Sequence, residues 1–180
     1  VTPVLSDVPV PHPVKTWPIY EGDIFDLGGV QIEVIGVPGH TYGTVVFIDR
    51  ASRIVFSGDA CNVNTLLCLD GSTTIEEYLD SLLHFKTYQK NFDVMYGGHG
   101  PVAVPASIID DGIAMCERIL AGKDEAAETQ TIIGTQAFLG SARGENYLPV
   151  CGGYCNIMYV KDMLHRRPHP VIQGKPNLYR

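Results

Sequence analysis

From Asp23 onward the chain alternates short apolar runs with glycine-containing turns. The stretch "DIFDLGGVQIEVIGV" predicts two strands around Leu27-Gly28-Gly29, with the glycines supplying the turn. Residues 45–48 and 54–56, joined by "DRAS", predict a second hairpin. Both of its strands, "TVVFI" and "RIVFS", are apolar at nearly every position, which predicts burial on both faces. The period then changes. In "TTIEEYLDSLLHF", Thr74 and Glu77 are spaced as a capping box, and Ile75, Leu79, Leu82 and Leu83 recur at helical intervals. A second helix is predicted to open at Pro105, bury Ile109, Cys116, Ile119 and Leu120, and stop at Gly122. "YCNIMYV" predicts a closing strand. Sheet and helix mixed in this way predict an α/β fold of α+β layered type.

The ends of the chain read differently. Residues 1–19 form a proline-rich extended segment or linker, because proline fixes φ and removes a backbone donor. Residues 20–180 form the folded domain. Within it, 124–150 has no clear period and reads as a loop over a cleft, or a short helix, and 166–180 reads as a basic, proline-broken tail. His12 is expected at the surface, His165 and His169 in the tail, and His84 in a structural or solvent-facing role.

Three apolar runs share one ending. "VIGVPGHTYGTVVFI" leads through glycine to His40, "RIVFSGDAC" to Asp59, and "FDVMYGGHGP" to His99. A strand end is where a sheet presents side chains to a cleft. A lone histidine beside apolar residues is usually structural, but three such endings with metal-type side chains point to one shared site. Imidazole and carboxylate suit zinc or iron, and a carboxylate has two oxygens with which to bridge a metal pair.

Composition narrows the partners. The chain has 180 residues, 45% hydrophobic and 18% charged, enough for one domain with a core. A net charge of -7 offers no basic face for a phosphate backbone, so a small-molecule substrate is expected and nucleic acid is not. Five cysteines at scattered spacing read as free thiols in a reducing, cytoplasmic setting. "CGGYC" places Cys151 and Cys155 as paired core thiols more readily than as a zinc site. No apolar run reaches the roughly 20 residues that span a bilayer, so no membrane association is expected.

Between about Tyr20 and Pro101, the motifs PGHT, GDA and GGHG, in that order and at strand ends, resemble the second half of a metallo-β-lactamase-fold hydrolase. The resemblance implies the C-terminal half of a four-layer αββα sandwich. It implies that His40 binds a first metal, that Asp59 bridges both metals and is the catalytic carboxylate, and that His99 binds the second. The implied cofactor is a pair of zinc ions, with iron or manganese as substitutes. The implied reaction is attack of a metal-activated water on an ester, thioester or related bond. Thr41 is expected to orient a ligand by hydrogen bonding.

The departures matter as much. The family's upstream HxHxDH motif does not occur in these 180 residues, so each metal keeps two ligands where a catalytic zinc uses three. The chain is therefore expected to be the C-terminal portion of a longer protein and a poor hydrolase alone. Its open sheet face is expected to form a homodimer or to pair with the missing N-terminal half. Asn62 stands where lactone-cleaving members carry tyrosine, and Asp59 stands where the best-known zinc β-lactamases carry cysteine. Both argue against those substrates. Two other readings compete: a non-haem iron oxygenase built on a two-His, one-Asp triad, and a non-catalytic association subunit.

Overall fold

The computed structural model describes residues 17–100, 103–131 and 133–166. His12 and His169 lie outside them. The expected hairpins are present. Strands β1 (Ile24–Asp26), β2 (Gln31–Gly36), β3 (Val45–Asp49) and β4 (Ile54–Gly58) pair antiparallel in sequence order. After β5 (Thr65–Leu67) the chain enters helix α1 (Ile75–Lys86) and returns as β6 (Val94–Gly97), parallel to β4. β7 (Val104–Pro105) closes the far edge, giving a sheet ordered β1-β2-β3-β4-β6-β7.

Helix α1 starts as the sequence predicts. The Thr74 hydroxyl accepts from the Glu77 amide at 3.3 Å, and the Glu77 carboxylate accepts from the Thr74 amide at 2.9 Å. Its buried stripe is Ile75, Tyr78, Leu82 and Phe85, and Leu83 points outward at 48% exposure. At 3.6 residues per turn Leu83 falls a full 100° from Leu82, so including it in the stripe overextends the face. Helix α2 (Ile108–Leu120) begins three residues later than expected, because Val104 and Pro105 still pair with β6. An edge strand tolerates the missing proline donor. Gly122 lies just past the helix end, as expected.

Residues 124–150 correct the expectation of a loop or short helix. They contain β8 (Ala127–Gln130) and β9 (Gln136–Leu139), an antiparallel pair. With β10 (Ile157–Tyr159) and β5 they form a second sheet ordered β5-β10-β9-β8, in which β5 and β10 run parallel. The predicted closing strand is β10.

The core lies between the six-stranded sheet and the two helices. Ile35, Val46, Ile48, Val55 and Met95 from the sheet are fully buried, in one cluster with Tyr78, Leu82, Phe85, Ile109 and Cys116 from the helices. Each such aliphatic or aromatic side chain contributes about 1.5–3 kcal/mol by leaving water. The opposite sheet face is not buried as predicted. It carries Phe25, Phe56 and Tyr96 at 41%, 44% and 36% exposure, with Phe56 stacked on Tyr96 at 5.9 Å and Phe25 near Phe47 at 6.5 Å. All five cysteines are unpaired. Among the described residues no helix is long and apolar enough to cross a membrane.

Candidate metal centre

His40 is held by its loop and by helix α1. Gly39 lies directly on the Tyr78 ring: a Cβ there would come within 2.5 Å of Tyr78 Cδ2, so only glycine fits. The buried Tyr78 hydroxyl donates to the Ala60 carbonyl at 2.8 Å. One side chain thus supports both the loop that carries His40 and the loop that follows Asp59. The Thr73 amide donates to Gly39 O at 2.9 Å, and the Ser72 hydroxyl donates to His40 O at 2.8 Å. His40 Nδ1 lies 3.1 Å from the Leu66 carbonyl. A carbonyl only accepts, so Nδ1 carries the proton and Nε2 is left with its lone pair. That Nε2 faces Asp59 Oδ2 at 4.0 Å.

Asp59 and His99 leave the ends of neighbouring parallel strands. Gly58 of β4 is in register with Gly97 of β6, and the Gly98 amide donates to Gly58 O at 2.8 Å. His99 Nε2 stands 3.5 Å from Asp59 Oδ1. The Asn62 side-chain Nδ2 donates to that same Oδ1 at 3.2 Å and fixes the carboxylate plane. A Cβ at Gly98 would lie 2.8 Å from Oδ1, so the glycine is what lets the two loops close on each other.

The three predicted ligands therefore come together, with one imidazole beside each oxygen of Asp59. In the neutral ring, an imidazole lone pair facing a carboxylate is an arrangement that a cation between them relieves, and this donor set suits a divalent metal. No group of three or more His, Cys, Asp or Glu among the described residues is arranged to hold one ion.

Thr41 is exposed, and its hydroxyl lies 2.9 Å from the Thr44 hydroxyl within the turn. The partner that His40 Nδ1 meets is the Leu66 carbonyl, a backbone atom. The part played by Tyr78 is not legible in the sequence, because a tyrosine on an amphipathic helix reads as core and nothing in its spacing marks the ring beneath Gly39. Cys151 and Cys155 are not paired core thiols: Cys155 is buried and Cys151 is exposed, since Gly152 and Gly153 turn the chain between them. His84 sits 2.8 Å from a Glu21 oxygen and His165 2.8 Å from a Glu76 oxygen, both away from the centre.

Beside His99 opens a cleft of about 710 Å³. Val63 and Gly100 line it on the side of the centre, and Arg143, Tyr147 and Leu148 line the opposite wall.

The chain is 32% identical over 85 residues to hydroxyacylglutathione hydrolase GloC of Haemophilus influenzae, covering 47% of this chain and 40% of that protein. It is 32% identical over 63 residues to the acyl-coenzyme A thioesterase MBLAC2 of Gallus gallus, covering 35% of this chain and 23% of that protein. The chain thus spans less than half the length of either relative. A metallo-beta-lactamase family protein from Thermus thermophilus shares the fold, with a TM-score of 0.51 at 24% identity over 61% of this chain and 38% of that one. The family model described as Metallo-beta-lactamase superfamily matches residues 3–100, more than half of the 180 residues and the part that holds His40, Asp59 and His99. The chain belongs to the metallo-beta-lactamase superfamily.

Proposed function

We propose that this chain supplies the bridging carboxylate and one histidine per metal to a hydrolase that cleaves acyl groups from thiols. The observation that carries the reading is Asp59, with His40 4.0 Å from one carboxylate oxygen and His99 3.5 Å from the other. The two matched relatives are named for acyl transfer from a thiol carrier to water, which favours a thioester over the other bonds the superfamily reading allows. When bound, a pair of divalent metals, zinc in the first instance, supplies a water of near-neutral pKa and a Lewis acid for the scissile carbonyl.

The chain's own residues prepare that chemistry. The Leu66 carbonyl holds the His40 proton on Nδ1 and keeps Nε2 free as a ligand. Asn62 keeps the Asp59 carboxylate from rotating. Tyr78 ties the two loops together, so their spacing is set by a rigid helix. Val63 and Leu148 give the neighbouring cleft an apolar lining that limits water. With two ligands for each position, further ligands from beyond the described residues complete the centre, and the 180-residue chain alone is expected to bind zinc weakly and turn over slowly.

Zinc titration of the 180-residue chain against a competing chelator tests this. The expected result is weak binding that Asp59→Ala abolishes and that His40→Ala and His99→Ala each reduce. Zinc retained at full stoichiometry through chelator dialysis would show ligands other than these. Zinc binding indifferent to Asp59→Ala would remove the basis for the reading.

A further inference from the structure

The wall of the cleft opposite His99 is a closed loop with unusual features. Arg143 and Pro149 form an isolated antiparallel bridge, and the Val150 amide donates to Ala142 O at 3.0 Å, so the neck is pinned. Inside the neck, Asn146 and Tyr147 hold φ values of 54° and 64°, in the left-handed region that costs non-glycine residues energy. That backbone sets the exposed Tyr147 ring against Arg143, whose guanidinium carbon lies 5.8 Å from the ring centroid. Arg143 has no carboxylate partner among the described residues, in a chain whose net charge is -7. It is also the one permanently charged residue, among the described residues, lining the cleft that His99 enters.

We propose that Arg143, held by Tyr147, binds the anionic end of the substrate, a carboxylate or phosphate remote from the scissile bond, and that the 143–149 loop is the specificity element of this site. The chemistry favours an anion because guanidinium offers paired donors in the fork geometry that carboxylate and phosphate accept. The Tyr147 ring holds that fork without neutralising it, which an acidic partner would do. The apolar side chains of Val63 and Leu148, both lining the cleft, accommodate the acyl or alkyl part between the two polar ends. The word substrate rests on the hydrolase reading above. The anion subsite itself does not.

Thioethers test the subsite without any bond to hydrolyse, so failure here is distinct from failure of the hydrolase reading. Three probes are titrated into the full 180-residue chain and followed by NMR shift changes: an S-alkyl peptide thiol bearing carboxylates, an S-alkyl nucleotide thiol bearing phosphates, and an uncharged S-alkyl N-acetylcysteamine. At least one anionic probe is expected to bind about tenfold or more tightly than the neutral one, from a charged hydrogen bond of ordinary strength. Whichever anion binds more tightly identifies the source as peptide or nucleotide. Arg143→Gln should erase the preference, and Arg143→Lys should keep part of it. Arg143 is exposed, so unchanged amide spectra elsewhere will show that both variants fold. Equal binding of all three probes, or an anion preference that survives Arg143→Gln, overturns the proposal.

Discussion

Asp59 Oδ1 and His99 Nε2 stand 3.5 Å apart because Gly98, between the strand end and His99, has no side chain to hold them off. A methyl group at position 98 would sit 2.8 Å from that oxygen. Gly98→Ala should therefore push the carboxylate aside and weaken zinc binding by about tenfold or more, with a small change in stability, since position 98 is at the surface of the centre and not in the core. Gly43→Ala is the control, because a Cβ there meets nothing within 4 Å. Chelator competition and thermal melts on both variants check this. Equal effects from the two alanines would mean that close approach to Asp59 is not what matters.

Tyr78 links the two loops through one hydroxyl. Tyr78→Phe keeps the ring under Gly39 and removes only the bond to Ala60 O, leaving a buried carbonyl unpaired at a cost of about 1–3 kcal/mol. The expected outcome is a lower denaturant midpoint together with weaker zinc binding. A stability loss with zinc affinity unchanged would confine Tyr78 to the core.

Acid stability follows from paired carboxylates. Lys86, at 2.6 Å, and then Gln89 hold the Asp110 carboxyl below its ordinary value of 3.8. The folded state thus keeps its proton off to lower pH than the unfolded chain does. That contribution is fully present above pH 3.8 and is lost as pH falls from there through the folded value. Arg53 does the same for Asp93. Asp110→Asn should flatten the acid limb of stability against pH and leave the profile near neutrality nearly parallel to wild type, as urea midpoints at a series of pH values will show.

The exposed aromatic face is expected to associate with a second copy of the chain. Phe56 and Tyr96 stack at its centre and are each more than a third open to water, and an apolar patch of this kind is an interaction surface in soluble proteins. Phe56→Asp should shift sedimentation toward the monomer at micromolar concentration without unfolding the chain. A wild-type chain that is monomeric at that concentration would show that the face stands alone.

Much of this is legible in the sequence. The hairpins and the capping box are set by neighbours within a few positions, and His40, Asp59 and His99 are marked by glycine at strand ends. What the sequence hides depends on distant pairings. β5 and β10 meet in parallel although most of the domain lies between them, so neither strand announces the second sheet. Thr41 sits next to His40 in sequence, whereas the partner that His40 Nδ1 meets is the Leu66 carbonyl, a backbone atom whose identity no side-chain pattern reveals. Local spacing locates the ligands. Their supports come from elsewhere in the chain.

The parallel pairing of β4 with β6 also fixes when the centre can form. An antiparallel hairpin such as β3–β4 closes over a few residues and forms in about microseconds. β6 can dock on β4 only after α1 has crossed between them, a closure of larger loop entropy and higher contact order. Asp59 therefore gains His99 late in folding, and the growing chain on a ribosome has no such pair until β6 has emerged. A cation held between those two side chains would fasten the most sequence-distant junction of that sheet, and the amides along Gly58 and Gly98 are where its presence would be felt as slowed exchange.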